Sequence, residues 1–278
     1  MRAARLLQVL TVAAALLLSA AAYAQFGFGR GEFANIPARY MPRQLPDRNF
    51  VVCRLQYTSV RREPSGGGWR TDYPYGEINL TTRLAELTRT PVSRDDDGRP
   101  NHYVVRLIDN ELFECPFTMA SDVGTIGLRP DEVEQLRLYL LKGGFLWVDD
   151  FWGEAAWEQW SRELAKALPP PEYTIEDVPL TDPIFHSMLE VKRVPQVSGI
   201  GFWRATRGQV TSERGEESAV VHFRALRDSH GRIIAVMTHN TDVTNSWERE
   251  TEDPAYFLQF SIEGYALGVD VMLYAMTH

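Results

Sequence analysis

The stretch that most constrains the fold runs from Gly143 to Gly153 and reads GGFLWVDDFWG. Phe145 to Val148 are apolar without alternation, which is typical of a strand covered on both faces. Two adjacent aspartates, Asp149 and Asp150, follow at once. Ligands of open α/β sheets bind beyond the carboxyl ends of the strands, so this turn is the first candidate for a functional site.

Strand-like and helix-like segments alternate around this stretch, which indicates βαβ units and a mainly parallel sheet. The later half is richer in strand-like segments and is expected to add an antiparallel piece. The predicted strands span residues 50–57, 102–107, 112–119, 145–148, 173–178, 199–204, 219–225 and 233–237. The predicted helices are one capped by Asn79, one from Pro130 to a closing Gly143, and two over 154–168 and 255–278. We expect a single α/β domain over 49–278.

The N-terminus has the pattern of a secretory signal peptide over residues 1–24. Arg2 and Arg5 precede an apolar run, and the run is followed by Ala22-Tyr23-Ala24, an A-x-A cleavage site. Cleavage near Ala24 would export the chain to the periplasm or the extracellular space. An uncleaved anchor is the alternative and would be its one link to a membrane. Residues 25–48, rich in Gly, Pro and Arg, are predicted to form a flexible or extended arm.

Charge and cysteine content narrow the partners and the chemistry. The net charge is -8, and removal of the two leader arginines makes the chain more acidic, which argues against nucleic acid or an anionic membrane surface. Cys53 and Cys115 both lie in apolar strand-like runs. Two buried thiols are the favoured interpretation and a disulfide stays open, whereas thiol catalysis is not expected because neither Cys lies beside a turn or a His.

Three polar loops follow predicted strands and are expected to meet at one edge of the sheet. They are residues 69–75, 149–152 and 239–242. The resulting crevice is predicted to bind a ligand through Asp72, Tyr73, Asp149, Asp150, Trp152, His239, Asn240 and Asp242.

The roles of the two adjacent aspartates stay open. Neighbouring strand residues point to opposite sides, so one can serve the crevice while the other caps the helix near Glu154. In an enzymatic alternative, Asp149 or Asp150 acts together with His239 as general base. The competing interpretation is that His239 is a loop residue that only makes a local hydrogen bond. These residues and Asp242 offer nitrogen and oxygen ligands. Because no paired His or Cys spacing supports a metal centre, neither a metal nor a cofactor is predicted.

Five segments resemble the domain of unknown function 4159 family, from about Asn49 to the C-terminus. They are WRTDYPYGEINLTTRLAELT, FECPFTMASDVG, LRLYLLKGGFLWVDDFWG, GRIIAVMTHNTDVTNSWE and ALGVDVMLYAMTH. The resemblance implies a class I glutamine amidotransferase-like fold, a flavodoxin-like three-layer sandwich with a mainly parallel central sheet. A more distant similarity is to trehalose-utilisation-type proteins.

The family resemblance also bears on activity. Amidotransferases carry a nucleophilic Cys at the elbow after the central strand, where this chain has Asp149 and Asp150. Glutamine hydrolysis is therefore not expected. The sequence predicts a non-catalytic ligand-binding or scaffold domain for an unknown small molecule or protein partner, the latter docking through residues 25–47. The alternative is a hydrolase that uses Asp149 or Asp150 with His239. Carbohydrates are its candidate substrates.

Overall fold

The computed structural model describes residues 36–64 and 66–278, so the predicted signal peptide lies outside the described residues. In this part of the chain the strands are β1 (Val52–Gln56), β2 (His102–Arg106), β3 (Phe117–Ser121), β4 (Phe145–Phe151), β5 (Ile175–Asp177), β6 (His222–Arg227) and β7 (Ile233–His239). The α-helices are α1 (Tyr75–Thr88), α2 (Pro130–Leu141), α3 (Glu154–Ala167), α4 (Ile200–Ala205), α5 (Asn245–Glu248) and α6 (Ile262–Thr277). A helical turn, Pro254–Tyr256, and a π-helical turn, Phe257–Ser261, lead into α6.

The strands form one sheet in the order β2-β1-β3-β4-β7-β6-β5. The pairs from β2 to β7 are parallel, whereas β6 runs antiparallel to both β7 and β5. The expected α/β class, the mainly parallel sheet and the late antiparallel piece are thus confirmed. The strand order reverses direction between β1 and β3, and such a switch point opens a crevice at the carboxyl ends of the strands.

The sheet is covered on both faces, which explains the apolar run in β4. Leu146 and Val148 pack on one face with α2 and α3, and Phe145 and Trp147 pack on the other with α1, α5 and α6. All four side chains are buried. Because successive strand residues point to opposite faces and both faces are covered here, apolar residues fill all four of these positions.

Two predicted strands differ from the structure. Residues 199–204 form α4, in which Ile200 and Trp203 pack against Tyr256 and Phe260, so tertiary contacts determine the helix. The third strand begins only at Phe117 because Asn110–Glu114 form a 3₁₀ turn. Short apolar runs do not distinguish a helix from a strand by periodicity, and both errors arise there.

The first helix also begins earlier than predicted. Helix α1 starts at Tyr75, so Asn79 lies within it and caps nothing. The Asn79 side-chain amide instead donates to the carbonyl of Trp247 at 2.8 Å. The polar side chain therefore ties α1 to α5, a contact between distant parts of the sequence.

The two cysteines form a disulfide rather than two buried thiols. Cys53 lies in β1 and Cys115 just before the neighbouring strand β3, with their Cα atoms 6.0 Å apart. The favoured sequence interpretation was therefore wrong. It failed because the pairing of β1 with β3 brings together two residues that are 62 positions apart.

The predicted arm is extended where it is described. Tyr40 pairs with Val104 in a parallel bridge, and Val104 N donates to the carbonyl of Arg39 at 2.8 Å. Residues 37–278 form one compact unit, and residues 25–35 lie outside the described residues. Over the described chain, each helix is too short or too polar to cross a membrane.

Candidate functional site

Three aspartates from three strand-end loops come together as the sequence predicts. Asp72 follows β1, Asp150 lies at the end of β4, and Asp242 follows β7. One carboxylate oxygen from each lies within 4.8 Å of the other two. Asp72 and Asp242 are buried and Asp150 is half-buried, so solvent reaches the group from the side of Asp150. We call these three residues the carboxylate crevice.

The backbone turns sharply at two of these residues. Asp72 has a φ of 63° and Asp150 a φ of 53°, both in the left-handed region. Aspartate tolerates this region better than most residues because its short side chain hydrogen-bonds locally. The pairing of β4 with β7 is irregular between Val148 and Phe151, where Asp150 lies. The strained turn separates Asp150 from Asp149 and places them in different surroundings.

The Asp149 carboxylate accepts hydrogen bonds from two threonines and is held in place by them. Its Oδ1 accepts from Thr238 Oγ1 at 2.5 Å, and its Oδ2 accepts from Thr244 N and Thr244 Oγ1, both at 2.7 Å. The carboxylate thus joins β4 to β7 and to the residue that precedes α5. The suggested capping of α3 does not occur, since Gly153 is the N-cap and Glu154 N donates to Glu217 Oε1 at 2.8 Å.

Neutral donors connect the crevice carboxylates. Asn245 Nδ2 donates to Asp242 Oδ2 at 2.7 Å and to Asp72 Oδ1 at 3.3 Å. Ser121 Oγ donates to Asp72 Oδ2 at 3.3 Å. Ser121 in turn accepts from Arg54 Nη1 at 2.6 Å. These hydrogen bonds bring amide and hydroxyl groups to Asp72, and the positive charges of Arg54 and Arg249 also act on it.

The buried guanidinium that donates to Ser121 has its own carboxylate. Arg54 and Glu77 are fully buried, and Arg54 Nε lies 2.5 Å from Glu77 Oε1. Arg54 therefore acts on Asp72 through its electric charge and through the hydrogen bonds of Ser121. A buried pair of this kind largely neutralises itself.

The electrostatics of the crevice favour uncharged carboxyls or a bound cation. Burial raises the pKa of Asp150 and that of Asp242 well above the usual range; the charge of Asp72 adds to both shifts, and the charge of Asp150 adds to that of Asp242. Burial likewise raises the pKa of Asp72, although the charges of Arg54 and Arg249 oppose the effect. Carboxylates this close cannot all be charged without a compensating proton or cation.

His239 is not among the side chains that meet in the carboxylate crevice. Its Nε2 donates to the carbonyl of Gly153 at 3.0 Å, and its Nδ1 lies 3.3 Å from an Arg224 nitrogen. Its ring stacks on Phe151 with centroids 4.9 Å apart. Burial lowers the pKa of His239 to about 4, so the ring is neutral at neutral pH. Both ring nitrogens thus have local partners, and neither is a carboxylate of the crevice.

The other predicted residues divide between the crevice and its supports. Trp152 Nε1 donates to Asp150 Oδ1 at 3.0 Å, so the indole borders the crevice. Asn240 supports the turn between β4 and α3, since its Oδ1 accepts from Gly153 N at 2.8 Å. The Tyr73 hydroxyl accepts from Arg39 N at 3.0 Å, and its ring packs edge-on to His102, outside the crevice.

Several acidic and amide residues near the crevice were missed by the sequence analysis. Asp122, at the end of β3, accepts from Gly68 N at 2.8 Å, and burial raises its pKa to about 7. Burial raises the pKa of Glu248 in α5 to about 8. Asp122 follows a predicted strand and could have been found by the same argument as Asp150. Asn245 and Glu248 gave no such signal, because their helix is only one turn long.

The arrangement can bind a cation through oxygen. In the described residues, Asp72, Asp150 and Asp242 form a group of three whose carboxylate oxygens all lie within 4.8 Å of one another. Carboxylate oxygens without histidine or cysteine suit Ca²⁺, Mg²⁺ or Mn²⁺.

Comparison with known proteins gives the chain a family. Among curated proteins there is no match. The model of the family described as Domain of unknown function (DUF4159) matches residues 51–276, which is most of the chain and includes the whole carboxylate crevice. The chain therefore belongs to the DUF4159 family.

Proposed function

We propose that this chain is an exported, non-catalytic binding domain that holds a hard divalent cation, Ca²⁺ or Mg²⁺, in the carboxylate crevice. The observation that carries the proposal is the 4.8 Å limit on the distances among oxygens of Asp72, Asp150 and Asp242. Oxygen ligands lie about 2.3–2.6 Å from Ca²⁺, so two ligands of one ion are at most about 5 Å apart. The 4.8 Å limit is therefore compatible with one Ca²⁺ ion that contacts all three carboxylates.

Charge supports the same conclusion. Three carboxylates from separate loops are held together although burial and mutual repulsion disfavour their charged forms. The Arg54 guanidinium, which reaches Asp72 through Ser121, is paired with Glu77, and Arg249 is paired with Glu248. A divalent cation would satisfy the carboxylates and fix the three loops relative to one another.

The geometry favours binding over the hydrolase alternative. A nucleophile or general acid needs a base within hydrogen-bond reach. The His239 ring bonds to Gly153 and Arg224, and the Asp149 carboxylate accepts three hydrogen bonds from Thr238 and Thr244. Asp149 and His239 therefore hold neighbouring segments together. This supports a domain that binds a ligand rather than one that hydrolyses a substrate.

The same proposal includes the fold family and the compartment. The order β2-β1-β3-β4-β7 follows the flavodoxin-like pattern, with the crevice beside the switch point, which supports an amidotransferase-like ancestry without its nucleophile. The Cys53–Cys115 disulfide supports an oxidising compartment, as the leader over residues 1–24 predicts.

Thermal unfolding of the mature chain tests the proposal. After treatment with a chelator, Ca²⁺, Mg²⁺, Mn²⁺ and spermidine are added separately. A cation at 100 times its Kd should stabilise the fold by about 2.7 kcal/mol, a rise of several degrees in Tm. Asp150→Asn should remove the response, and Asp96→Asn, on an exposed loop, should keep it. A flat response to every metal would contradict the proposal, and so would a response to spermidine alone.

A further inference from the structure

Asn245 joins two members of the carboxylate crevice that lie far apart in the chain. Its Nδ2 donates to Asp242 Oδ2 at 2.7 Å and to Asp72 Oδ1 at 3.3 Å, and its backbone N donates to Asp242 Oδ1 at 3.0 Å. Asp72 lies 173 positions before Asn245, and Asn245 is only 7% exposed. One buried amide therefore holds Asp72 in position relative to Asp242.

The chemistry of the amide suits a group that binds a cation. Ionised carboxylates only accept hydrogen bonds, so the nitrogen of the Asn245 side chain, and not its oxygen, must face them. The amide donates to one oxygen of each carboxylate. A lysine or an arginine at this position could also bridge the two carboxylates, but its charge would neutralise them. The uncharged amide holds them together and leaves their charge to a cation.

Helix α5, which carries Asn245, is held by other parts of the fold. Asn79 Nδ2 of α1 donates to the carbonyl of Trp247 at 2.8 Å. A side chain on Gly264 of α6 would collide with Ser246 Oγ, so α6 packs directly against α5. The position of the Asn245 amide is therefore determined by α1 and α6 as well as by the two carboxylates.

Carboxylates that are held in this way distinguish Ca²⁺ from Mg²⁺. Ca²⁺ takes about six to eight oxygen ligands in a flexible geometry, whereas Mg²⁺ requires a nearly ideal octahedron with shorter bonds and usually binds to one or two carboxylates. Selectivity between the two ions depends on the number and the flexibility of the ligands. The crevice offers three carboxylates, and Asn245 restrains two of them. These carboxylates cannot adjust freely to the short bonds of Mg²⁺.

We propose that Asn245 is a positioning residue that makes the carboxylate crevice selective for Ca²⁺ over Mg²⁺. Its amide nitrogen bonds to Asp72 and Asp242, so it acts on the ion through these two ligands. Side chains that hold metal ligands from outside contribute about 10- to 100-fold to metal affinity. The inference rests on the proposed function, since it requires a cation in the crevice.

Isothermal titration calorimetry of the chelator-treated mature chain, with Ca²⁺ and with Mg²⁺, tests this inference. The wild type should bind Ca²⁺ more tightly than Mg²⁺. Asn245→Leu keeps a similar volume without a donor and should weaken the Kd for Ca²⁺ by about 10- to 100-fold. The Kd for Mg²⁺ should change less, because Mg²⁺ depends on fewer carboxylates, so the preference for Ca²⁺ should shrink. Asn245→Ser is a milder change and should also reduce the preference, because one hydroxyl hydrogen cannot serve two carboxylates.

The matched control is Asn79→Leu, which removes an amide hydrogen bond to the same helix but none to a crevice carboxylate. It should lower the Tm and leave the preference for Ca²⁺ unchanged. The inference is overturned if the wild type binds Mg²⁺ at least as tightly as Ca²⁺, if a folded Asn245 variant keeps the wild-type preference, or if Asn79→Leu reduces the preference equally. If neither ion binds to the wild type, the proposed function fails, and the inference fails with it.

Discussion

Asp122 provides a quantitative test of the buried acidic surroundings of the crevice. The residue is 2% exposed, has a φ of 53°, and accepts from Gly68 N at 2.8 Å. Burial raises its pKa to about 7; the Gly68 N–H opposes this shift and Glu63 adds to it. Asparagine tolerates the same backbone, and its side-chain oxygen can accept from Gly68. Asp122→Asn therefore removes the titration with little other change.

The sign and size of the effect follow from the shift. The folded state binds the proton more tightly than the unfolded state, whose pKa is about 3.9. The stability that this proton contributes is complete below about pH 4 and is lost as the pH rises through about 7. The whole shift corresponds to about 4 kcal/mol, of which about 2.5 kcal/mol falls between about pH 5 and about pH 8.

Urea unfolding with a chelator at these two pH values measures the effect, and the free energy of unfolding comes from the midpoint and slope. From the lower to the higher pH, the wild type should lose about 2.5 kcal/mol more than Asp122→Asn. Asp96→Asn, at an exposed position, should follow the wild type. Equal losses in the wild type and in Asp122→Asn would refute the reasoning.

Three further changes test other contacts. Replacing Cys53 and Cys115 with alanine opens a link between residues 62 positions apart and should lower the free energy of unfolding in urea by about 4 kcal/mol; a change below about 1 kcal/mol would count against the link. Glu77→Gln leaves the buried Arg54 charge without its carboxylate and should cost about 3–5 kcal/mol in the same assay, whereas Arg54→Met with Glu77→Met should recover much of it. His239→Phe keeps an aromatic ring on Phe151 and should leave the Ca²⁺ affinity measured by calorimetry unchanged, and a lost affinity would place His239 in the site.

The sheet could be predicted from the sequence where burial leaves a clear pattern. The apolar run in β4 shows that both faces of the strand are covered, and the structure covers them with helices. The segment that became α4 has no such pattern. Its helix depends on the packing of Ile200 and Trp203 against Tyr256, far along the chain, which no local rule detects.

The location of the crevice was predictable because parallel strands end at one edge. That rule brought Asp72, Asp150 and Asp242 together without knowledge of the strand order. The direction of each side chain was not predictable. The left-handed turn at Asp150 and the ring contacts of His239 decide which group faces the crevice, and both depend on neighbouring strands.

Sensitised terbium luminescence tests the central claim most directly. Tb³⁺ takes the same oxygen ligands as Ca²⁺, and Trp152 Nε1 lies 3.0 Å from Asp150 Oδ1, so a bound ion would lie close to an indole that transfers energy to it. Excitation of tryptophan in the mature chain should produce terbium emission that Ca²⁺ displaces. The emission should persist in Asp96→Asn and disappear in Asp150→Asn. Absence of emission from the wild type, or full emission from Asp150→Asn, would contradict a cation site at Asp72, Asp150 and Asp242.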